Sequence, residues 1–353
     1  MKHKILIGGL GTFIAGCIVG LFVIPTATKE TPQFGWQSKP EETAAIRESL
    51  PFGQRYFSET PAGKVVLGNE NDDILLTDAA LSVRGDFLPI RDQGQIGSCV
   101  SFGTTTAIEH LILIQIAEAS RLGIPPPTEY RDLAQEIMYG GSRVEIGGGR
   151  IRGDGSVTAW AAKFAQEYGV VARDKYDGLD LTTYSVTTCR KLGASGVSSA
   201  MEAVAKKSPV KSFTFVRSAA EASKALHQLY PIAVGSSQGF GNSGPWNTDS
   251  LGRLKASGTW GHCMAVLGVA KLSDGKKYFL FENSWSDKVH QGPKGGKNVP
   301  KSGVFFVDWD TADRMFAEGD AVAFSEAVGF PPKPNAGTDW WFAKLPPVFQ
   351  GTR

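Results

Sequence analysis

The most uniform hydrophobic stretch of the chain lies near its N-terminus, where residues 5–24 run without a charged side chain. A helix of about 20 apolar residues is long enough to cross the hydrocarbon core of a membrane. A short basic head, residues 1–4, precedes this run, and Pro25 ends it. Because basic flanks stay on the cytoplasmic side, the pattern predicts a signal anchor that holds the body of the protein on the periplasmic or extracellular side.

Two other interpretations of residues 1–27 stay open. A cleaved signal peptide that ends near Ala27 would release a secreted protein. A lipoprotein signal would use Cys17, since residues 14–17 resemble a lipobox, although the chain stays apolar after Cys17. All three interpretations predict that the body is exported.

Small residues recur every four positions along the apolar run, which places them on one face of a helix. They are Gly8, Thr12, Gly16 and Gly20. Such a stripe favours close helix packing and hence a homodimer or a membrane partner. The general abundance of glycine in membrane spans explains the stripe equally simply.

The rest of the chain divides into three parts by composition and residue pattern. Residues 28–80 are polar and contain scattered prolines, which is typical of an extension or stalk with short elements. Residues 81–328 alternate apolar and polar segments as a globular domain does. Residues 329–353 form a proline-rich C-terminal tail.

The first half of the globular part predicts helices. Residues 100–119 are apolar nearly all round, as in a buried helix. Shorter helices are predicted over residues 130–139, 156–168 and 219–229. The glycine-rich stretch between residues 140 and 156 is predicted to be a loop, and it lacks the Lys-Ser/Thr pair of a phosphate-binding loop.

The second half predicts strands. The segments have short apolar runs bounded by turn residues, and they are residues 231–235, 262–270, 277–283 and 303–309. A strong turn signal over residues 273–276 joins the second and third of them into a hairpin. Helices first and strands later indicate an α+β fold with two lobes.

Composition narrows the function. The chain has 353 residues, 42% of them hydrophobic, and a formal net charge of +2. The near-neutral balance argues against a nucleic-acid binder, which would carry a basic stripe. Of four cysteines, Cys17 lies in the N-terminal run, and the three in the body are too few for a disulfide scaffold. Cys189 and Cys263 are predicted to be buried free thiols, with a disulfide between them as the alternative.

Cys99 is the candidate nucleophile. It lies where a polar, glycine-containing stretch, residues 93–98, meets the predicted buried helix. A thiol at a helix N-terminus feels the positive end of the helix dipole, which favours the reactive thiolate. The polar neighbourhood argues against the other interpretation, a small buried core residue.

A thiolate nucleophile needs a basic partner, and His262 is the best candidate of five histidines. His3 lies in the N-terminal head. His110 is about 16 Å from Cys99 along the same helix, at ~1.5 Å per residue. His227 lies in a helix that ends before Pro231, and His290 is expected to be solvated in a Lys/Gly-rich loop.

The predicted hairpin places Asn283 nearly opposite His262, within a residue or two of register. Opposed side chains lie roughly 5 Å apart at Cβ, so the Asn283 amide can accept a hydrogen bond from one ring nitrogen and fix the tautomer. The other nitrogen then serves the thiol, in a Cys-His-Asn form of the catalytic triad. Trp285 follows two residues later and is expected to shield this bond from water.

Hydrolysis of an amide also needs donors for the developing oxyanion. The backbone N–H of Cys99 is one candidate. A side-chain amide upstream is the other, either Gln93 or the nearer Gln95.

These segments resemble the papain-like (C1-type) cysteine peptidases, over roughly residues 81–324. Residues 92–99, Asp-Gln-Gly-Gln-Ile-Gly-Ser-Cys, are similar to the active-site segment of bacterial, archaeal and viral members. Gly261-His262 resembles the catalytic histidine strand, and Asn283-Ser284-Trp285 resembles the Asn-Ser-Trp motif. The resemblance implies a helical left lobe with Cys99 and an antiparallel β right lobe with His262 and Asn283, and a substrate cleft between them.

The same resemblance implies roles for further residues. Gln93 is implied as oxyanion donor, and Gly155 as a contact for the backbone of an extended substrate. The activity implied is thiol endopeptidase hydrolysis, with no cofactor, metal or nucleic acid. The open alternatives are a cell-wall peptide amidase and a catalytically silent component of an envelope or virion assembly.

The chain departs from the family pattern at several positions. Val100 follows the cysteine where an aromatic residue is usual, and Ile96 replaces a disulfide cysteine. The long helical propeptide of the family is not evident in residues 28–80, and their use as a pro-segment over the active site stays open.

Overall fold

The computed structural model describes residues 34–68, 71–241, 247–294 and 298–333. All of these belong to one compact unit, residues 32–353. The predicted membrane segment, its small-residue stripe, Cys17 and most of the C-terminal tail lie outside the described residues.

Helices dominate the first part of the described chain. They are α1 (Pro40–Ser49), α2 (Pro61–Lys64), α3 (Thr77–Arg84), α4 (Cys99–Leu122), α5 (Gln135–Gly141), α6 (Thr158–Glu167), α7 (Val186–Ser195), α8 (Ser199–Ala205), α9 (Ala219–His227) and α10 (Trp309–Ala317). A 3-10 turn, Phe57–Glu59, precedes α2, and a π-helical turn, Ser142–Ile146, follows α5.

The strands are shorter and come mostly later. They are β1 (Ile74–Leu75), β2 (Lys175–Tyr176), β3 (Leu179–Asp180), β4 (Ser212–Phe215), β5 (Ile232–Phe240), β6 (Ala256–Lys271), β7 (Lys277–Glu282), β8 (Val304–Asp308) and β9 (Asp320–Ser325). Within the described residues, seven of them form one antiparallel sheet in the order β4-β9-β5-β6-β7-β8, with β1 paired to β6.

Helix α4 is the central helix of the domain. Its apolar residues face neighbours on all sides, which is why residues from Cys99 to Ala119 are nearly all buried. It ends where Gly123 takes a left-handed conformation (φ 67°) and its N–H bonds to the last turn. Over the described ranges, α4 is the one helix long and apolar enough to cross a membrane, and its burial marks it as a core helix.

The predicted hairpin is present as β6 and β7. Lys271 pairs with Lys277 across the turn, where Gly275 has a φ of 80°. Strand β6 is longer than predicted at both ends, whereas β7 ends one residue earlier than predicted. β6 in particular begins at Ala256, because its N-terminal half pairs with β5.

The two lobes meet where α4 packs against β6. At Gly103 an added Cβ would lie 3.0 Å from the Cys263 Sγ, so the glycine allows the helix to approach the strand closely. The predicted α+β architecture, with a helical part ahead of an antiparallel sheet, is confirmed.

One predicted helix is partly wrong. Residues 130–134, predicted to begin a helix, are irregular, and α5 starts only at Gln135. The backbone N–H groups of Leu133 and Ala134 bond instead to the Glu109 carboxylate and to Val171 O. Long-range bonds therefore compete successfully with the local helical pattern.

The flanking segments contact the domain where they are described. Ala62 N–H donates to Phe330 O, and the Phe330 ring packs against Phe57 and Tyr230. Parts of both the N-terminal extension and the start of the tail therefore pack into the hydrophobic core of the domain.

Candidate active site

Cys99 is the first residue of α4 and is fully buried. Residues 93–98 lead the chain into the helix, with Gly94 in a left-handed conformation (φ 62°). Burial raises the pKa of the Cys99 thiol to about 12, although nearby backbone N–H groups, those of Cys263, Gly35 and Trp36 among them, act in the opposite direction. The thiol therefore lies beside the strand that carries His262.

His262 and Asn283 are joined directly. His262 Nε2 lies 2.8 Å from Asn283 Oδ1. The register pairs Ala265 with Glu282, so His262 is two residues beyond direct opposition to Asn283, within the tolerance of the sequence argument. The Ser284 N–H also donates to Asn283 Oδ1, at 2.7 Å, which identifies this atom as the amide oxygen.

The tautomer of His262 follows from that bond. Because Asn283 Oδ1 can only accept, His262 Nε2 carries the hydrogen and Nδ1 is the acceptor nitrogen. Nδ1 is buried and has no hydrogen-bond partner in the described part of the chain. The geometry thus leaves one basic nitrogen of His262 available to take a proton.

Aromatic rings cover the His262–Asn283 bond. Trp285 lies over the imidazole with ring centroids 4.5 Å apart, and Phe34 meets it edge-on at 6.1 Å. Burial lowers the pKa of His262 to about 4, and the hydrogen bond to Asn283 acts in the opposite direction. Trp285 thus occupies the shielding position expected from the sequence.

Gln93 is held between the cysteine loop and the Asn283 segment. Its Nε2 donates to Ile96 O at 2.8 Å, and its Oε1 accepts from the Ser284 hydroxyl at 2.7 Å. Gln93 N–H also donates to Ser284 O. The side chain is fully buried, whereas Gln95 is exposed. Gln93 is therefore fixed beside Ser284, the residue that follows Asn283.

The expectation that His290 is solvated is wrong. The ring is fully buried, packs against Phe305, and places Nε2 at 2.7 Å from Asn283 Nδ2. His290 has a positive φ of 53°. The polar residues around His290 in the sequence do not indicate that it is buried. The burial arises because the chain turns back toward Asn283, and a pattern of polar and apolar residues does not reveal such a turn.

An N-terminal segment, residues 34–37, lies across Cys99; we call it the cleft segment. The N–H groups of Gly35 and Trp36 both donate to Gly261 O, at 2.9 and 2.8 Å. On the other side, Ser156 N–H donates to Gly35 O at 2.8 Å and Ser156 O accepts from Gln37 N–H at 2.9 Å. The cleft segment is therefore bonded through its backbone to both lobes at once.

Gly155 lies against the same segment. Its φ is 117°, and an added Cβ would lie 2.7 Å from Gly35 O. Its own N–H donates to the Tyr139 hydroxyl, and the backbone pairing is made by Ser156, one residue further on. The structure thus brings Gly155 to the cleft as a close neighbour of the chain that occupies it.

Two further aromatic side chains, Trp260 and Phe240, differ in their distance from the cleft. Trp260 lies against Phe34, Phe240 and Trp285, at the edge of the covered site. Phe240 is 2% exposed and packs on Phe305, so it belongs to the core. Cys189 and Cys263 are buried free thiols, as predicted.

Metal ligands are a further question for the site. The described residues contain no group of three or more His, Cys, Asp or Glu side chains placed to hold a metal ion.

A buried carboxyl next to Asn283 predicts a pH dependence of stability. Burial raises the pKa of Glu282 to about 8, with Arg91 acting in the opposite direction. The folded state favours the neutral acid, so this stabilisation is complete below about pH 4.5 and is lost as the pH rises through about 8. The Glu282→Gln variant should lose less free energy of unfolding between pH 5 and pH 9, by up to about 4 kcal/mol.

Urea denaturation at the two pH values measures this difference. The exposed Glu129→Gln is the control and should follow the parent. Identical pH dependence in the parent and in Glu282→Gln would show that the Glu282 carboxyl is not buried in its neutral form.

The sequence matches a known protein family. Residues 78–295 match the family model described as papain family cysteine protease. No curated protein sequence matches the chain.

The chain is also similar to several solved structures. Xylellain from Xylella fastidiosa has 15% identity and a TM-score of 0.47, over 84% of this chain and 92% of that one. Procathepsin L 3 from the larval midgut of Tenebrio molitor has 19% identity and a TM-score of 0.47, over 81% and 78%. Bromelain from Ananas comosus has 17% identity and a TM-score of 0.45, over 72% and 99%.

The family model spans well over half of the chain and includes Cys99, His262 and Asn283. The protein belongs to the papain family of cysteine proteases.

Proposed function

We propose that this protein is a thiol endopeptidase in which Cys99 attacks the peptide bond, His262 exchanges the proton and Asn283 orients His262. The observation that carries the proposal is the 2.8 Å bond between His262 Nε2 and Asn283 Oδ1. It leaves Nδ1 as the basic nitrogen of His262, and the next residue, Cys263, has its backbone N–H near the Cys99 thiol.

The reaction follows from these groups. His262 Nδ1 takes the thiol proton. The resulting imidazolium is stabilised by its Nε2–H bond to the Asn283 oxygen. The thiolate adds to the substrate carbonyl, and His262 returns the proton to the leaving amine. Water, deprotonated by the same nitrogen, then hydrolyses the acyl-enzyme.

Two donors are assigned to the oxyanion. The Cys99 N–H belongs to the first turn of α4, where backbone donors have no partner within the helix. The second is the Gln93 amide, whose orientation is fixed at both ends by Ile96 and Ser284. Preorganised donors of this kind contribute about 3–4 kcal/mol each to stabilising the transition state.

The cleft segment makes the described state latent. It occupies the space in front of the thiol, and its cover contributes to the burial that favours neutral Cys99 and neutral His262. Displacing residues 34–37 would rehydrate both groups and allow the ion pair to form. Part of the extension, residues 28–80, thus acts as a pro-segment in this proposal.

The protein is proposed to act outside the cytoplasmic membrane. The support is the charge-free run of residues 5–24 behind a basic head. The small-residue stripe within it is the proposed contact of a homodimer.

The substrate class is tested with two polymers. The full chain carrying Gly35→Ala, a change designed to displace the cleft segment, is incubated with casein and with peptidoglycan. Casein fragments that disappear in a Cys99→Ala version support an endopeptidase. Release of cell-wall peptides with intact casein would replace it by the amidase alternative, and no product from either would favour the silent scaffold.

A further inference from the structure

Arg143 carries a buried positive charge next to residues 151–155, which we call the glycine segment. It lies in the π-helical turn after α5 and is 8% exposed. Its guanidinium group lies over the Tyr139 ring, with Cζ 4.9 Å from the ring centroid. A charge taken out of water needs polar partners around it, so the hydrogen bonds that Arg143 makes indicate its role.

The guanidinium group binds the backbone of the glycine segment. Nη2 donates to Gly153 O at 2.7 Å and to Ile151 O at 3.3 Å, and Nη1 donates to Gly155 O. Nε donates to Gly193 O at 2.8 Å, which ties the side chain to α7. The rigid fork of arginine donors can serve several carbonyls at once. One side chain therefore fixes three carbonyl groups of the glycine segment.

The glycine segment has no regular structure of its own. Gly153 and Gly155 have positive φ angles of 77° and 117°. Glycine loses more conformational freedom on folding than any other residue, so such a segment needs outside contacts to keep one shape. Tyr139 supplies another contact, because its hydroxyl accepts the Gly155 N–H at 3.0 Å. Arg143 and Tyr139 together hold both backbone groups of Gly155.

The next residue pairs with the chain that lies in the cleft. Ser156 N–H donates to Gly35 O, and Ser156 O accepts from Gln37 N–H. The carbonyl of Gly155 and the N–H of Ser156 belong to one planar trans peptide unit, in which the two groups point in opposite directions. Fixing Gly155 O on one side therefore directs the Ser156 N–H into the cleft on the other.

We propose that Arg143 is a positioning residue, which holds the peptide unit between Gly155 and Ser156 so that its N–H faces a peptide chain in the cleft. The proposal rests on the proposed function for the substrate class, a peptide. Arg143 acts through the backbone and touches none of the reacting groups. Because the cleft segment uses the same N–H, loss of Arg143 releases the cleft segment and also weakens substrate binding.

Alkylation of Cys99 by iodoacetamide measures the release of the cleft segment and needs no hydrolysis. In the full chain, Arg143→Met should accelerate alkylation by about fivefold or more, since two backbone hydrogen bonds are worth roughly 5- to 150-fold. Arg173→Met is the matched control. The Arg173 side chain is 11% exposed, but it bonds to Leu181 O and Glu136. This control should label within about threefold of the parent.

The KM of a fluorogenic peptide measures the effect on substrate. In the Gly35→Ala background, Arg143→Met should raise KM by about tenfold and leave kcat within about threefold. The reason is that the backbone hydrogen bond is made equally in the ground state and in the transition state. Arg173→Met should leave both constants within about threefold of the background.

Arg143→Lys keeps the test valid if Arg143→Met does not fold. Lysine retains the buried positive charge, but it is a point charge on a flexible stem and cannot serve the three carbonyls together. It should also accelerate alkylation and raise KM, by about threefold or more. Urea denaturation checks that each variant is folded.

The outcomes distinguish this proposal from the proposed function. Faster alkylation in the Arg143 variants than in Arg173→Met, with no hydrolysis of any peptide, would retain the positioning role and overturn the endopeptidase. Hydrolysis with alkylation rates and KM equal to those of Arg173→Met would overturn the positioning role. A fall in kcat at unchanged KM would overturn it too, since the effect would then lie on the reacting groups.

Discussion

Replacing Gly35 with alanine is expected to open the cleft and accelerate alkylation of Cys99. An added Cβ would lie 2.0 Å from Gly97 O and 2.6 Å from Gly97 Cα. These are backbone atoms of the loop that leads into α4, so they cannot move aside as a flexible side chain would. Overpacking costs about 1–3 kcal/mol, which corresponds to a rise of roughly 5- to 150-fold in the open population.

Iodoacetamide labelling followed by mass spectrometry of the Cys99 peptide measures this change. Gly68→Ala is the matched control, since an added Cβ there meets no atom within 4 Å. It should label at the parent rate. If Gly35→Ala also labels at the parent rate while remaining folded, the cleft segment is not what restricts the thiol.

Removal of Cys99 is expected to have the largest effect on activity. In the Gly35→Ala background, Cys99→Ala should reduce peptide hydrolysis by about 10⁴-fold or more, because loss of the nucleophile leaves only binding and oxyanion contacts. The rate is measured with a fluorogenic peptide that the background variant hydrolyses.

Cys189→Ala is the control for Cys99→Ala. Cys189 is also a buried free thiol, but it packs in a separate cluster with Ile96 and Tyr139. This variant should keep the background rate. Residual hydrolysis of more than about 1% in Cys99→Ala would assign the reaction to another group.

The central elements of the fold could be predicted because their patterns are local. Helix α4 is apolar nearly all round, and the β6–β7 hairpin has a strong turn at its centre. Those two elements bring Cys99, His262 and Asn283 to one place. The start of α5 could not be predicted, because Leu133 and Ala134 bond to partners distant in sequence.

The sequence identified the candidate triad but not its surroundings. Trp36 bonds to Asp320, and these residues are 284 positions apart. His290 reaches Asn283 through a turn with a positive φ. Neither contact leaves a periodic pattern, since each depends on how separate segments meet in space.

The position of the cleft segment could not be predicted from the sequence either. Residues 34–37 are short, and their polar, proline-containing context is typical of a linker. Their position follows from bonds to Gly261 and Ser156, which belong to opposite lobes. Because the segment is held by residues distant in sequence, its own residues do not predict where it lies.

The most direct test of the account is the rate of Cys99 alkylation at pH 6 in Gly35→Ala, with and without His262→Ala. An unassisted thiol with a pKa near 8.5 is only about 0.3% ionised at this pH, whereas a thiolate paired with imidazolium is largely ionised. Removing His262 should therefore slow alkylation by about 100-fold or more. Equal rates in the two proteins would contradict activation of Cys99 by His262.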